Sequence, residues 1–122
     1  MTNETFHKSL LYRRLIQPLR HSAAGLAFAW RSEEAFRIEV LLCVLLVPMA
    51  LVLEPTWQGR LWLIGSLILV LIVELLNTAI EKMVDRISLE PHELSKAAKD
   101  VGSAAVGLSL LWAVCVWIVV LL

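Results

Sequence analysis

The 122-residue sequence predicts an all-α integral membrane protein, with three transmembrane helices preceded by an amphipathic surface helix, in a single domain spanning 1–122. Three observations carry that expectation. Hydrophobic residues make up 59% of the chain, against about 45–50% in soluble domains. Three stretches approach the roughly 20 apolar residues that a hydrocarbon core about 30 Å thick requires. Basic residues crowd two of the segments between or before these stretches and nearly avoid the third. Disorder is excluded by the hydrophobicity, and two cysteines are too few for a disulfide scaffold. Eleven basic residues cancel eleven acidic ones, so no net field attracts nucleic acid.

Residues 1–32 read as the surface helix. Leu11, Leu15, Leu19, Leu26 and Trp30 recur near helical spacing, with Lys8, Arg13, Arg14 and Arg20 around them. Pro18 interrupts this helix or starts one of its turns. Residues 1–10 hold no apolar run, which argues against a cleavable signal peptide.

The first span covers about 34–53, around an uninterrupted apolar run of 14 residues at 40–53. Pro48 lies inside it and is expected to kink the helix or leave a carbonyl unpaired. Residues 54–60 form a tight turn helped by Pro55 and Gly59, with Trp57 and Trp62 at interface depth. The second span covers about 61–82 and the third about 99–122, the latter with 22 uncharged residues from 101 onward. In the connection between them, Pro91 marks a turn, and Ser88 or Glu90 precedes a short helix leading into the third span. On its own, His92 reads as a solvated loop histidine. Cys43 and Cys115 fall within spans and suit packing among Leu and Val. Basic residues at Lys8, Arg13, Arg14, Arg20, Arg31 and Arg37, and at Lys82, Arg86, Lys96 and Lys99, contrast with Arg60 alone in the first turn. The N-terminus and the connection at 82–100 are therefore expected to face the cytoplasm, and the C-terminus the outside.

Polar residues break the second span. Glu74 follows 13 uncharged residues and facing lipid would cost roughly 2.5–3.5 kcal/mol or more. Glu74, Asn77, Glu81 and Asp85 follow one another at steps of three, four and four, which lines them along one helix face. Three carboxylates on one face repel unless arginine, lysine or a divalent metal neutralises them. Alternatively, the outer members sit in interfacial water and Glu74 alone needs a partner. A second acidic group, Glu33, Glu34 and Glu39, lies at the same membrane surface. One carboxylate from each span suits magnesium, which takes one or two carboxylates plus phosphate oxygens and water. Carboxylates for magnesium, nearby basic residues and a base just inside the hydrocarbon describe phosphoryl transfer to a lipid alcohol. No phosphate-binding loop is present: Gly102 and Gly107 have its spacing, but Leu108 stands where lysine belongs, and small residues there suit close helix packing.

The segments VELLNTAIE (73–81), VDRI (84–87), HELS (92–95), AKDVGSAA (98–105) and WRSEEAFRIE (30–39) together resemble the prokaryotic diacylglycerol kinase family. The resemblance runs in order from Arg14 to Ala105 and extends to length and layout. It implies a homotrimer in the bacterial inner membrane that uses Mg-ATP at the cytoplasmic surface, with active sites shared between subunits. It implies Glu74 as general base on the lipid hydroxyl, Glu33 and Glu81 as magnesium ligands, Asn77 as an essential neighbour of the base, and Asp85 as an essential carboxylate. Nucleotide contacts fall on Arg14, Glu90, His92, Lys99 and Asp100, and lipid contacts on Glu39, Arg60 and Ser103. His21 stands where the best-known members carry a tyrosine near the nucleotide. Ser32 replaces an asparagine, Ile38 a glutamine, and Pro91 an aromatic residue.

Diacylglycerol is the expected substrate, made into phosphatidic acid for phospholipid recycling. The family includes undecaprenol kinases, which FRI (36–38) resembles, so undecaprenol is the alternative. A third reading, from another class, is a non-catalytic membrane assembly protein whose acidic face pairs with a basic helix.

Overall fold

The computed structural model describes residues 3–122; the side chains of residues 6–8, Lys8 among them, lie outside the described part. Among the described residues every regular element is helical. The chain divides into two compact units, one ending at Ser32 and the other comprising Glu33–Leu122.

The first unit holds α1 (Asn3–Leu11), a π-helical turn (Tyr12–Ile16) and α2 (Gln17–Ser32). The expected surface helix is thus interrupted just ahead of Pro18. Proline has no amide to donate, and its ring crowds the carbonyl four residues back. The chain widens by one residue there: the Gln17 amide reaches back five residues to the Tyr12 carbonyl. Arg20 Nη1 donates to the Tyr12 hydroxyl at 2.7 Å, tying the two sides of the wide turn together. Leu11, Leu15, Leu19, Leu26 and Trp30 remain exposed.

The second unit is a bundle of α3 (Glu34–Leu53), α4 (Trp57–Ile87) and α5 (Glu93–Leu121), with α4 packed against both others. All three helices are long and apolar enough to cross a membrane. The protein is a membrane protein. Helix α3 begins where Glu33, extended at φ −120° and ψ 112°, breaks the preceding helix. It passes through Pro48 without ending, although the missing proline amide leaves the Val44 carbonyl without its usual helical donor. Three residues then separate α3 from α4. Thr56 caps α4 by accepting the Gly59 amide at 3.0 Å, a contact worth about 1 kcal/mol. The Glu54 carboxylate accepts the Thr56 amide at 3.2 Å and its hydroxyl at 2.7 Å, and Arg60 Nε donates to the Glu54 carbonyl at 2.7 Å.

Helix α4 begins at Trp57 and continues to Ile87, beyond both ends of the expected 61–82. Its 31 residues span about 46 Å at 1.5 Å per residue. That exceeds a hydrocarbon core of about 30 Å by roughly three helical turns. The apolar contacts gather toward the Glu54 end, where Ala50, Leu63 and Val116 pack with Ile64, Trp117 and Val120. There the Trp117 indole donates to the Leu63 carbonyl at 3.2 Å, and the Trp62 and Trp112 rings meet edge to face. The opposite end is left to polar residues.

The connection from α4 to α5 differs from expectation at its cap. Helix α5 starts at Glu93, with no separate short helix before it. The capping residue is His92 and not Ser88 or Glu90: its Nδ1 accepts the Leu94 amide at 3.0 Å. His92 is exposed in the loop, as expected, and in addition serves as the helix cap. Ser88 instead closes the turn, accepting the Glu90 amide at 3.0 Å.

Candidate functional site

Glu74 is buried, only 6% exposed, and sits about midway along α4 where apolar residues surround it. Its carboxyl faces that of Glu39 on α3 at hydrogen-bonding range. Two carboxylates so placed repel each other when both are charged. Glu39 Oε2 is buried without a hydrogen-bond partner, so this end of the pair has capacity to bind something more.

One turn further along α4, Asn77 Nδ2 donates to Glu81 Oε1 at 3.3 Å. The amide orientation follows from this contact, because the opposite flip would set two oxygens against each other. Asn77 Oδ1 is left buried and unpartnered. Glu81 is half-buried, and both it and Glu33 lie within Coulombic reach of Glu74. The Glu33 carboxylate is met by Lys82 Nζ at 3.5 Å. Lys82 was not among the expected site residues, yet it supplies a cation to Glu33. The signal was present: of the cations in the chain, it stands directly beside Glu81.

Two turns beyond Asn77, Asp85 Oδ1 accepts from Lys99 Nζ of α5 at 2.7 Å. Asp100 pairs with Lys96 at 2.6 Å on the exposed side of the same helix. These residues, with Ser88, Glu90 and His92, line an open cavity of about 620 Å³ between the ends of α4 and α5. The cavity carries acceptors and ammonium groups together, which suits a polyphosphate that brings its own cation. A second cavity, about 370 Å³, lies between the three helices; Glu39 is among its lining residues, with Leu42, Cys43, Val70 and Trp117. Its lining is otherwise apolar, which suits an acyl chain.

The second unit therefore brings Glu33, Glu39, Glu74, Asn77, Glu81, Asp85, Glu90, His92, Lys99 and Asp100 toward one end of the bundle. Ser103 is exposed on α5, one residue beyond Gly102. Arg60 lies elsewhere: it is in the first turn of α4, about 21 Å of helix rise from Glu74, with its guanidinium 4.6 Å from the centre of the Trp57 ring. Arg14 is exposed on the π-helical turn and His21 is exposed on α2, both within the first unit.

A magnesium ion fits the donor set on chemical grounds. Glu33 and Glu81 offer hard carboxylate oxygens at the open end of the bundle. Among the described residues no three or more His, Cys, Asp or Glu side chains cluster closely enough to hold an ion alone. Two carboxylates with the remaining positions filled by phosphate and water is the arrangement magnesium favours.

A model of the prokaryotic diacylglycerol kinase family matches residues 20–121. The chain is 47% identical to a diacylglycerol kinase of Pseudomonas aeruginosa over 110 residues, covering 90% of this chain and 89% of that one. It is 46% identical to a diacylglycerol kinase of Escherichia coli over 110 residues, 90% of each chain. A diacylglycerol kinase of Haemophilus influenzae is 41% identical over 111 residues, 91% of this chain and 94% of that one.

Proposed function

From the premise that this chain belongs to the prokaryotic diacylglycerol kinase family, we propose that it transfers the γ-phosphoryl group of ATP to the free hydroxyl of diacylglycerol, making phosphatidic acid at the cytoplasmic face of the inner membrane. The chain is a kinase with a lipid substrate and a nucleotide-dependent reaction, which sets aside the non-catalytic assembly role. The observation that carries the assignment of roles is the buried Glu74, set deeper along α4 than the Asn77, Glu81 and Asp85 that follow it.

Depth divides the labour. Glu74 lies about 10 Å further along the helix axis than Glu81, at a level a headgroup hydroxyl reaches and water-borne substrates do not. The glycerol hydroxyl sits against Glu74, with one acyl chain in the apolar cavity below Glu39. Glu74 accepts the hydroxyl proton as the oxygen attacks the γ-phosphorus, and the bond to the β-bridging oxygen breaks to release ADP. Asn77 holds Glu81 beside this centre. Lys99, set by Asp85, and Asp100, Glu90 and His92 hold the nucleotide in the larger cavity. Ser103 and Glu39 contact the lipid, whereas Arg60, held by Glu54 and Trp57 at the far end of α4, stands apart from this centre. Glu33 and Glu81 would hold magnesium, which when bound supplies positive charge to the β- and γ-phosphate oxygens. Positioning and charge neutralisation account for most of the rate in such a reaction.

The N-terminus and the α4–α5 connection lie on the cytoplasmic side, supported by the ten cations there against Arg60 alone at the other end. The surface helix carries its exposed leucines into the interface. Three subunits assemble into a homotrimer with shared sites, a reading supported by the apolar faces that α3 and α5 leave open.

The test is phosphate transfer from labelled ATP in mixed micelles holding equal diacylglycerol and undecaprenol. Labelled phosphatidic acid as the main product is expected. Labelled undecaprenyl phosphate as the main product overturns the substrate assignment and directs attention to Ile38, which stands exposed beside Glu39.

A further inference from the structure

We propose that Gly102 of α5 is a positioning residue for the phosphotransfer site, because its lack of a Cβ leaves the space in which the Asn77 side chain is aimed at Glu81. The inference rests on the reading of Asn77 and Glu81 as site residues, and goes beyond it by naming what holds them.

Three observations carry it. A Cβ built on Gly102 collides with Asn77 Oδ1 itself, not with backbone. Gly102 is buried against α4, whereas Gly65 and Gly107 face open space and Gly59, in the first turn of α4, abuts the nearby Glu54 side chain and no other helix. Asn77 Nδ2 reaches Glu81 at 3.3 Å, but its Oδ1 is buried with no hydrogen-bond partner, so on that side packing against Gly102 alone seats the amide. Glycine is therefore needed here for volume, since no glycine in the chain has a positive φ. An alanine at this position forces Asn77 off its seat or α5 off α4. Either movement releases Glu81, one of the two carboxylates assigned to magnesium.

The route is Asn77, then Glu81, then metal, which separates this role from a general packing one. Gly102→Ala is expected to lower kcat by about 100-fold, the scale of an ångström-sized misplacement at a reacting centre. Manganese binding by the purified full-length protein, read by the paramagnetic signal of the ion in the presence of a non-hydrolysable ATP analogue, should weaken in the same variant. The KM for diacylglycerol should stay within about twofold, because the acyl cavity lies deeper.

A double-mutant cycle decides the question. If Gly102 acts through Asn77, Gly102→Ala added to Asn77→Ala changes kcat and manganese affinity no further. Fully multiplicative losses overturn the proposal, as does wild-type turnover and manganese affinity in Gly102→Ala. Should Gly102→Ala alone fail to fold, the double variant still decides: recovery of the folded protein supports the Asn77 contact, and continued failure places the clash elsewhere and overturns it. Unimpaired turnover and metal binding in Asn77→Ala alone would instead remove Asn77 from the site, a failure of the underlying reading that the cycle reports separately.

Discussion

Replacing Glu74 by glutamine removes one negative charge and the ability to take a proton, while keeping the side-chain volume. The residue is 6% exposed and faces Glu39, so the substitution lands inside packed structure and shape must be conserved for the test to be clean. A positioned general base contributes about 10²–10⁴ in rate, which is roughly 3–5 kcal/mol at 1.36 kcal/mol per decade. Turnover of diacylglycerol in Glu74→Gln should fall by that range. Stability should not fall with it, since a neutral amide is cheaper than a carboxylate at this depth. The KM for ATP should hold, because the larger cavity between α4 and α5 does not include this residue. The assay is labelled phosphate transfer in mixed micelles, run beside thermal unfolding and nucleotide binding on the same preparation. Turnover within threefold of the parent refutes the reasoning, since no other carboxylate of α4 lies at hydroxyl depth. Loss of ATP binding in parallel with turnover refutes it differently, by making Glu74 part of the nucleotide site.

Glu81→Gln and Glu33→Gln should each raise the magnesium concentration for half-maximal rate; an unchanged titration removes that residue from the metal. Chelation of divalent ions should abolish transfer and leave the far-ultraviolet circular dichroism unchanged, because the helices pack through apolar contacts around Ala50, Leu63 and Val116; a loss of helical signal would give the ion a structural role. Lys99→Met should raise the KM for ATP several-fold and barely move the melting temperature, since its pair with Asp85 is half-exposed; a large drop in melting temperature would make the pair structural. Thr56→Ala should cost about 1 kcal/mol of stability through the lost α4 cap, with kcat unaffected; a matching loss of kcat would show that the distant turn reaches the site.

Much of this was legible because two periodicities coincide in α4. Hydropathy marks lipid depth, and the three-four-four spacing from Glu74 to Asp85 marks a face, so the acidic row is evident in the sequence itself. Helix ends were less legible. Hydropathy falls away at Lys82 and Glu93 whether or not the backbone continues, and so α4 and α5 run past the apolar limits on hydrogen bonding alone. The His92 cap escaped reading because histidine is not among the usual capping residues, although its Nδ1 accepts as a carboxylate oxygen would. Contacts between helices were beyond reach. Glu39 meeting Glu74, Lys82 meeting Glu33, and Gly102 seating Asn77 all depend on how α3 and α5 rotate about α4, and no single helix records that rotation.

The turn between α3 and α4 has a consequence for biogenesis. In the proposed orientation this segment must be carried through the hydrocarbon once as the chain is inserted. It holds one acid and one base, Glu54 and Arg60, and each is already occupied within seven residues of chain. The carboxylate is taken by Thr56, and the guanidinium by a carbonyl and the face of Trp57. A passenger that brings its own substitute for water asks less of the translocation machinery. The first two spans are thus suited to enter together as a helical hairpin, and substitutions that unpick Glu54 should show themselves during membrane integration, before any catalytic step is sampled.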